Sequence, residues 1–578
     1  MTIHLYLQRM TLRNKFSFVA LLLVCATLIC CRLIYPGKNK PLQITTWDAL
    51  GYYLYLPAAH IYHDDTALAW FPSIDARYYL SGGSFYQAID LPNGRKVFKY
   101  LRGVSLMQWP PFMLAHQYCL HTRRYPADGF SAPYQYAIAW WALLWVCASL
   151  CLLRYLLLKF FHDRTVALSL LLLLLASNAL QYIAVDAGQS HAWLFPLHIL
   201  MLWFTIRWHS HYNASGMFVM AFILGFSTIG RPTEAVLLFL PLLWNCNDRE
   251  RWKEKWSIIL SQPAQWLALS GGFLAGIFPQ LLYWKRVTGT WVFDVGSKWD
   301  FLSPHWRVLF GWEKGWFIYT PVALLFVSGL LFLRRFPFRG ALITFCLLNI
   351  YIIISWHIWR YGGSYSTRAL VQSYPVFAFP LCALLERWIQ SRWQWALLPL
   401  SLWLIAVNLF QIGQYNHGVL HYDEMNRRYY GAIFLNPHPS PLQMSLLDQA
   451  DWHGADTLTN PNLWHDDTTK LTLKQGQPLF DTIIQARHVS GFLRVQWSLR
   501  SAPGRWNQFL CAALLQGRDT LKARSFRLDN ALMNEQEYAH YAFDFDLCSP
   551  GHFILWCEGT NGPAVQTRLK VQYTKAEK

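Results

Sequence analysis

The stretch 133–158, PYQYAIAWWALLWVCASLCLLRYLLL, carries a single charged residue, Arg154. A bilayer core of ~30 Å needs about 20 apolar residues in a helix, so this run is long enough to cross one. Reading outward from it, comparable runs lie at 16–35, 165–185, 190–207, 215–229, 233–246, 264–285, 316–333, 340–358, 367–386 and 395–413. The runs 215–229 and 233–246 are short and meet at Gly230-Arg231-Pro232-Thr233, which predicts a tight hairpin. Together the runs predict a mainly α, polytopic membrane protein of about eleven transmembrane helices.

Composition agrees. Of the 578 residues, 54% are hydrophobic, 17% aromatic and 14% charged, where soluble domains carry about 25% charged residues. The 30 Trp and 30 Tyr suit two water–lipid interfaces. A net charge of +18 raises nucleic acid as a partner, but the basic residues are scattered between apolar blocks. That pattern points to membrane phosphates and topology signals, and no nucleic-acid partner is expected. Most of the 12 cysteines lie in or beside apolar runs, and no CxxC or Cys/His cluster suggests a metal site.

Short-loop Lys and Arg mark the cytoplasmic side of a membrane. Arg9, Arg13 and Lys15 precede the first run, so the N-terminus is expected in the cytoplasm. No small-residue cleavage site follows Cys30-Cys31-Arg32-Leu33, so this run is read as an anchor rather than a signal peptide. The apolar segment 104–121 contains Trp109-Pro110-Pro111. Counting it as a span would turn the clusters at Arg154/Lys159/Arg164, Arg249–Lys255 and Arg334–Arg339 outward. It is therefore expected to lie in the outer interface as a helix broken by the double proline. The chain then divides into a membrane domain, 1–413, with an outer loop 36–132, and a periplasmic, mainly β domain of sandwich type, 414–578. Runs such as 492–497 and 567–573 alternate as strands do. Cys511, Cys548 and Cys557 fall in this domain. A Cys548–Cys557 bridge across the turn-prone Ser549-Pro550-Gly551-His552 is weighed there against pairing with Cys511.

On the expected outer face, Asp48 follows the first span in Thr46-Trp47-Asp48-Ala49-Leu50-Gly51-Tyr52-Tyr53. It reads as a helix N-cap or as a functional acid. A second acid, Asp186 in Val185-Asp186-Ala187-Gly188-Gln189-Ser190-His191, stands at the outer end of another span, where acids are costly unless they serve something. Two such carboxylates supply a general base and a group that orients a hydroxyl. Arg231 sits at the hairpin tip, Arg360 and Arg368 bracket Tyr361-Gly362-Gly363-Ser364-Tyr365, and Lys99 and Arg102 precede the interfacial helix. Guanidinium grips phosphate through two donors; the alternative is that these side chains snorkel to headgroups. Tyr52, Tyr53, His191, Tyr361 and Tyr365 are the expected substrate-positioning residues. Acids and phosphate-gripping cations on one membrane face suggest a polar substrate carried on a lipid phosphate.

In this order of features residues 1–413 resemble the C-type (GT-C) integral-membrane glycosyltransferases, which include protein O-mannosyltransferases and the aminoarabinose transferases of lipid A. Asp48 falls where that family has its catalytic acid and Asp186 where it has a second outer acid. Lys99 with Trp109-Pro110-Pro111 resembles its basic residue and Pro-Pro segment, and Arg231-Pro232-Thr233 its basic hairpin tip. The resemblance implies a polyprenyl-phosphate-linked sugar donor, a glycan, lipid or protein acceptor, and inversion at the anomeric carbon. Many members have paired acids at the first position. Here Ala49 follows Asp48, which favours a single-base mechanism with no cofactor and no required metal. Two rivals remain. One is a transporter or flippase of a lipid-linked or anionic substrate, which would show internal repeats and broken midplane helices. The other is a non-catalytic envelope assembly protein, which would need neither acid.

Overall fold

The computed structural model describes residues 14–35, 43–448, 453, 461–468, 471–472, 476, 478–501, 509–527, 539–558 and 564–575. Arg9 and Arg13, which enter the orientation argument, lie outside these. The chain forms two compact units, Met1–Ile412 and Gly413–Lys578.

The first unit is helical. Its principal helices are α1 (Lys15–Ile34), α2 (Trp47–Tyr53), α3 (Gly103–Thr122), α4 (Ala132–Leu157), α5 (Asp163–Leu175), α6 (Ser190–His211), α7 (Ala214–Thr228), α8 (Pro263–Thr288), α9 (Arg339–Ile354), α10 (Tyr374–Ile389) and α11 (Leu397–Asn416). Against the expected eleven spans, 5 helical segments among the described residues are long and apolar enough to cross a membrane: Lys15–Ile34, Ala132–Leu157, Pro263–Thr288, Arg368–Ile389 and Gln394–Asn416. Shorter apolar helices cover Ala214–Thr228, Pro232–Leu243 and Arg339–Ile354.

Other expected spans are divided, and the side chains say why. The run 165–185 stops as α5 at Leu175 and resumes as a π-turn, Gln181–Val185. At the break, Asn408 Nδ2 donates to the carbonyls of Leu175 and Ser177 at 2.7 and 2.9 Å. The Tyr374 hydroxyl donates to Asn178 Oδ1 at 2.6 Å. Buried backbone groups freed at such a break persist only when neighbours satisfy them in this way. The run 316–333 divides likewise into Trp316–Tyr319, Ala323–Gly329 and the 3-10 turn Leu330–Arg335.

One expectation about local breaking fails. Pro110 and Pro111 lie inside α3, which runs unbroken for 20 residues. Two prolines remove two amide donors and disfavour helix, but α3 packs along α4.

The two ends of the unit differ in chemistry. Asp163 accepts the amides of Phe16 and Ser17 at 2.9 and 3.0 Å, and Arg154 donates to Ser17 Oγ at 2.8 Å and to the Asn14 carbonyl at 2.7 Å. Lys15, Arg154 and Arg164 therefore gather at the start of α1. At ~1.5 Å per residue, the last turn of α1 lies about 25 Å away, and there the candidate site assembles.

The second unit opens with short helices, Arg427–Ile433 and Pro441–Ser445, and continues as strands. These are β3 (Asn462–Asp467), β4 (Leu471–Thr472), β5 (Pro478–Ile484), β6 (Gly491–Ser501), β7 (Phe509–Gln516), β8 (Asp519–Arg527), β9 (Ala539–Asp546), β10 (Gly551–Glu558) and β11 (Ala564–Lys575). β1 (Ala88–Asp90) and β2 (Lys96–Phe98) are a hairpin of the first unit. One sheet has the order β5-β10-β7-β8 and the other β3-β11-β6-β9, with β4 beside β11. Alternate residues of both sheets, among them Leu493, Val495, Trp497, Phe526, Phe543, Phe545, Phe553 and Leu555, form one core. The Phe526 and Phe543 rings stack across it at 3.9 Å. This is a sandwich. The expected disulfide is absent: Cys511, Cys548 and Cys557 are all free. Cys548 precedes β10 and Cys557 is near its far end, so the two are separated along one strand instead of facing each other across a hairpin. Cys511 pairs in register with Trp556, which puts Cys557 on the opposite face of the sheet.

Candidate active site

The site is built around Asp48. Thr46, with no side-chain capping bond, occupies the N-cap position of α2, and Asp48 lies in its first turn, so Asp48 is not the N-cap residue weighed above. The carboxylate is engaged elsewhere. Arg368 Nη2 donates to Oδ2, while the Tyr86 and Tyr100 hydroxyls donate to Oδ1 at 2.8 and 2.6 Å.

The two phenols reach one oxygen because of a hairpin. β1 and β2 pair antiparallel with Ala88 opposite Phe98, and the Lys99 amide donates to the Gln87 carbonyl at 2.9 Å. The same register extended by one pair sets Tyr86 opposite Tyr100, on the same side of the ribbon. Gly51 leaves room for this: a Cβ there would come within 2.0 Å of the Tyr100 ring.

The charge balance at Asp48 is decided by its partners. Burial pushes the carboxyl up, but the Arg368 guanidinium and the Tyr100 and Tyr86 hydroxyls outweigh burial and hold it below the ordinary carboxylate value. The Asp48 side chain is still 22% exposed, against 9% for Arg368. An ionised acid with an open edge is suited to receive a proton or orient a hydroxyl. At Tyr86 and Tyr100, burial and the adjacent Asp48 push the phenols up, so both stay protonated donors.

Arg368 is fixed from the loop it closes. Its Nη2 also donates to the Tyr361 carbonyl at 2.5 Å. Lys314, buried, donates from Nζ to the carbonyls of Arg360, at 2.8 Å, and Gly362. Thr367 Oγ1 donates to the Val308 carbonyl at 2.7 Å. Gly362 has φ +64°, a conformation that favours glycine, and it lies against Arg368 and Asp48.

Asp186 ends the π-turn, and Gln181 Nε2 donates to its Oδ2 at 3.0 Å. Burial pushes Asp186 up, countered in part by Gln181 and by the charges of Arg32 and Arg368. Arg231 begins the 3-10 turn Pro232–Leu238. Its Nη1 is buried with no hydrogen-bond partner among the described residues. Its charge reaches Tyr52, His191 and Tyr361, the same groups that Arg368 reaches. His191 Nδ1 lies 2.9 Å from Gln372 Oε1, Gln372 Nε2 donates to Glu234 at 2.9 Å, and Glu234 stands 3.1 Å from His198 Nε2.

Asp48, Asp186, Arg231, Arg368, Tyr52, His191 and Tyr361 thus converge. The remaining expected residues stand otherwise. Lys99 is exposed, as is Arg360, which lies over the Trp359 ring at 5.4 Å. Arg102 packs over the Tyr55 ring at 5.7 Å. Tyr53 is buried and donates to the Gly129 carbonyl at 2.5 Å. Tyr365 is buried with its hydroxyl 3.0 Å from the Tyr319 carbonyl and 3.1 Å from Asn408 Oδ1. Tyr86, Tyr100, Lys314, Gln372 and Glu234 were not singled out from sequence. For the phenols the signal was present, as two tyrosines symmetrically placed about a short strand–turn–strand pattern. Among the described residues no group of three or more His, Cys, Asp or Glu side chains converges as a metal site.

No protein-family model matches the chain, and no curated protein matches it. Among solved structures it is similar to the oligosaccharyltransferase AglB of the archaeon Archaeoglobus fulgidus. The AglB complex with an inhibitory peptide and a dolichol-phosphate is 11% identical, with 72% of this chain and 57% of that one covered and a TM-score of 0.41. The complex with Zn and sulfate gives 12%, 73%, 56% and 0.40, and the apo form 10%, 73%, 58% and 0.42. This chain therefore spans less than three fifths of the length of those structures.

Proposed function

We propose that this protein is a membrane glycosyltransferase that moves a sugar from a polyprenyl-phosphate donor to an acceptor, inverting the anomeric carbon. The observation that carries the reading is a half-buried, ionised Asp48 set among Arg368, Tyr86 and Tyr100, with the unmet donor of Arg231 acting on the same group of side chains. In the reaction the acceptor heteroatom forms a bond to the anomeric carbon as the bond from that carbon to the phosphate oxygen breaks. The electron pair leaves with the lipid phosphate, whose developing charge Arg231 stabilises. The acceptor proton passes to Asp48. A carboxylate held at low basicity suffices, because the acceptor becomes strongly acidic only as the new bond forms. Asp186 is the second acid, and Tyr52, His191 and Tyr361 position the substrate.

On this reading the site faces the periplasm of a bacterial inner membrane, with the start of α1 and its basic cluster in the cytoplasm. The β unit lies outside, with acceptor or partner binding as its task. A transporter would place its polar groups at mid-membrane, whereas here they gather at the end of the unit remote from Lys15. The test is incubation of the purified chain with labelled polyprenyl-phosphate sugars and cell-envelope acceptors. Label transfer that depends on Asp48 is expected. Donor binding without transfer to any glycan, lipid or protein fraction would return the chain to the transporter or assembly class.

A further inference from the structure

The last turn of α1 holds a charge that the reaction described above does not use. Arg32 is 3% exposed, and its Nε, Nη1 and Nη2 are buried with no hydrogen-bond partner among the described residues. A guanidinium has five N–H donors and no way to shed its charge, so leaving it unpaired in the interior is expensive. Two features lower that cost without removing it. The carbonyl end of α1 favours a cation. α1 also packs on the π-turn that ends at Asp186, whose charge acts on Arg32. Asp186 already accepts from Gln181 through Oδ2, and no hydrogen bond joins it to Arg32.

Arg32 is not alone in this state, since Arg231 Nη1 is also buried and unpartnered. Arg368 shares neighbours with both: its charge acts on Asp186, as that of Arg32 does, and on Tyr52, His191 and Tyr361, as that of Arg231 does. The guanidiniums of Arg32, Arg231 and Arg368 thus share the carboxylates of Asp48, Asp186 and Glu234, of which Glu234 also stands 3.1 Å from His198. Two sets of buried donors, on Arg32 and on Arg231, are left without hydrogen-bond partners among the described residues.

We propose that Arg32 is an anion-binding residue of this site, supplying with Arg231 the donors that take up a phosphate group, and that Asp186 positions Arg32 for it. The carrier of that phosphate, a polyprenyl chain, rests on the proposed function; the anion site itself does not. A purely structural Arg32 would behave differently, because replacing an unligated buried charge by an apolar side chain leaves anion binding intact.

The experiment measures binding of undecaprenyl phosphate, phosphatidylglycerol and inorganic phosphate, each alone, to the purified full-length chain in detergent. Arg32→Met and Arg32→Lys are compared with wild type, and thermal midpoints are taken without ligand. Arg32→Met is expected to weaken binding of the phosphate probe by about tenfold or more. Arg32→Lys should fall between, with the unliganded midpoint not lowered. Affinities within about twofold of wild type in both variants overturn the proposal. If Arg32→Met does not fold, Arg32→Lys decides alone, since it keeps the charge and loses the fork. Arg32-dependent binding of phosphatidylglycerol or inorganic phosphate, with no binding of undecaprenyl phosphate to wild type, supports the anion site and refutes the polyprenyl donor.

Discussion

Each unit of this protein holds a buried arginine–aspartate pair, and the two pairs are built for different purposes. In the β unit, Arg494 Nε and Nη2 donate to Asp544 Oδ1 and Oδ2 at 2.7 and 2.9 Å, with side chains 1% and 0% exposed. The two residues are register partners on adjacent strands, so the sheet itself brings them together. In the helical unit a single nitrogen of Arg368 reaches Asp48 across 320 residues of sequence, and two phenols hold the other oxygen. Asp48 keeps an open edge. A bidentate, sealed pair can only support its surroundings, whereas a one-armed pair with accessible carboxylate can exchange a partner.

Substitutions separate the two cases. The largest effect is expected at Asp48→Asn, which keeps shape and removes the base: transfer should fall by about 10²–10⁴-fold with donor binding retained, as single-turnover assays would read. Activity within threefold of wild type would make Asp48 as structural as Asp544. Next, Arg494→Met strands Asp544 as a buried charge and should destabilise the β unit by roughly 3–5 kcal/mol. Adding Asp544→Leu should restore most of it, and denaturant titration of both variants checks this. Equal loss in the single and double variants would show that packing, not charge, is decisive there.

Arg231→Ala removes a charged donor worth about 1.5–3 kcal/mol, so apparent KM for donor should rise at least about tenfold. An unchanged KM reduces Arg231 to a headgroup contact. Tyr100→Phe deletes one neutral donor to Asp48 and should lower transfer about three- to tenfold. A drop as deep as that of Asp48→Asn would give the phenol a direct part in proton transfer. The smallest effect concerns pH. Asp48 has a depressed folded-state pKa, so the stability it contributes is present above the unfolded value of about 3.9. It is lost only as pH falls through the folded value. The difference in thermal midpoint between wild type and Asp48→Asn should stay constant from neutral pH to about pH 5 and close below about pH 4. Closure near pH 6 would mean that Arg368 does not hold the carboxylate.

The helical unit was legible in part, because 5 of its segments are long apolar helices, and the sandwich because 492–497 and 567–573 alternate. What composition hides is interruption. Nothing in the run 165–185 shows that Asn408 will serve its broken carbonyls, since that partner is more than 200 residues away. The double proline misled in the opposite direction, because local propensity gave way to packing on α4. In the site, charge drew attention to Asp48, Asp186, Arg231 and Arg368. Tyr86 and Tyr100 carry no charge, and their symmetric placement about the turn gains meaning only once the hairpin register and Asp48 are seen together. Arg32 was hidden by its position, since a basic residue closing a span reads as an ordinary flank.

Gly51 has a consequence for how substitutions should be tolerated. The Tyr100 ring occupies the volume in which any β-carbon at position 51 would sit. Alanine there is charge-neutral and raises helix propensity, so by hydropathy or chemistry scoring it would be classed as harmless. In a saturation scan for activity, position 51 should nevertheless be as intolerant as position 48, with even the smallest side chain rejected. A library that admits alanine at 51 only alongside a smaller residue at 100 would show two positions evolving as one steric unit.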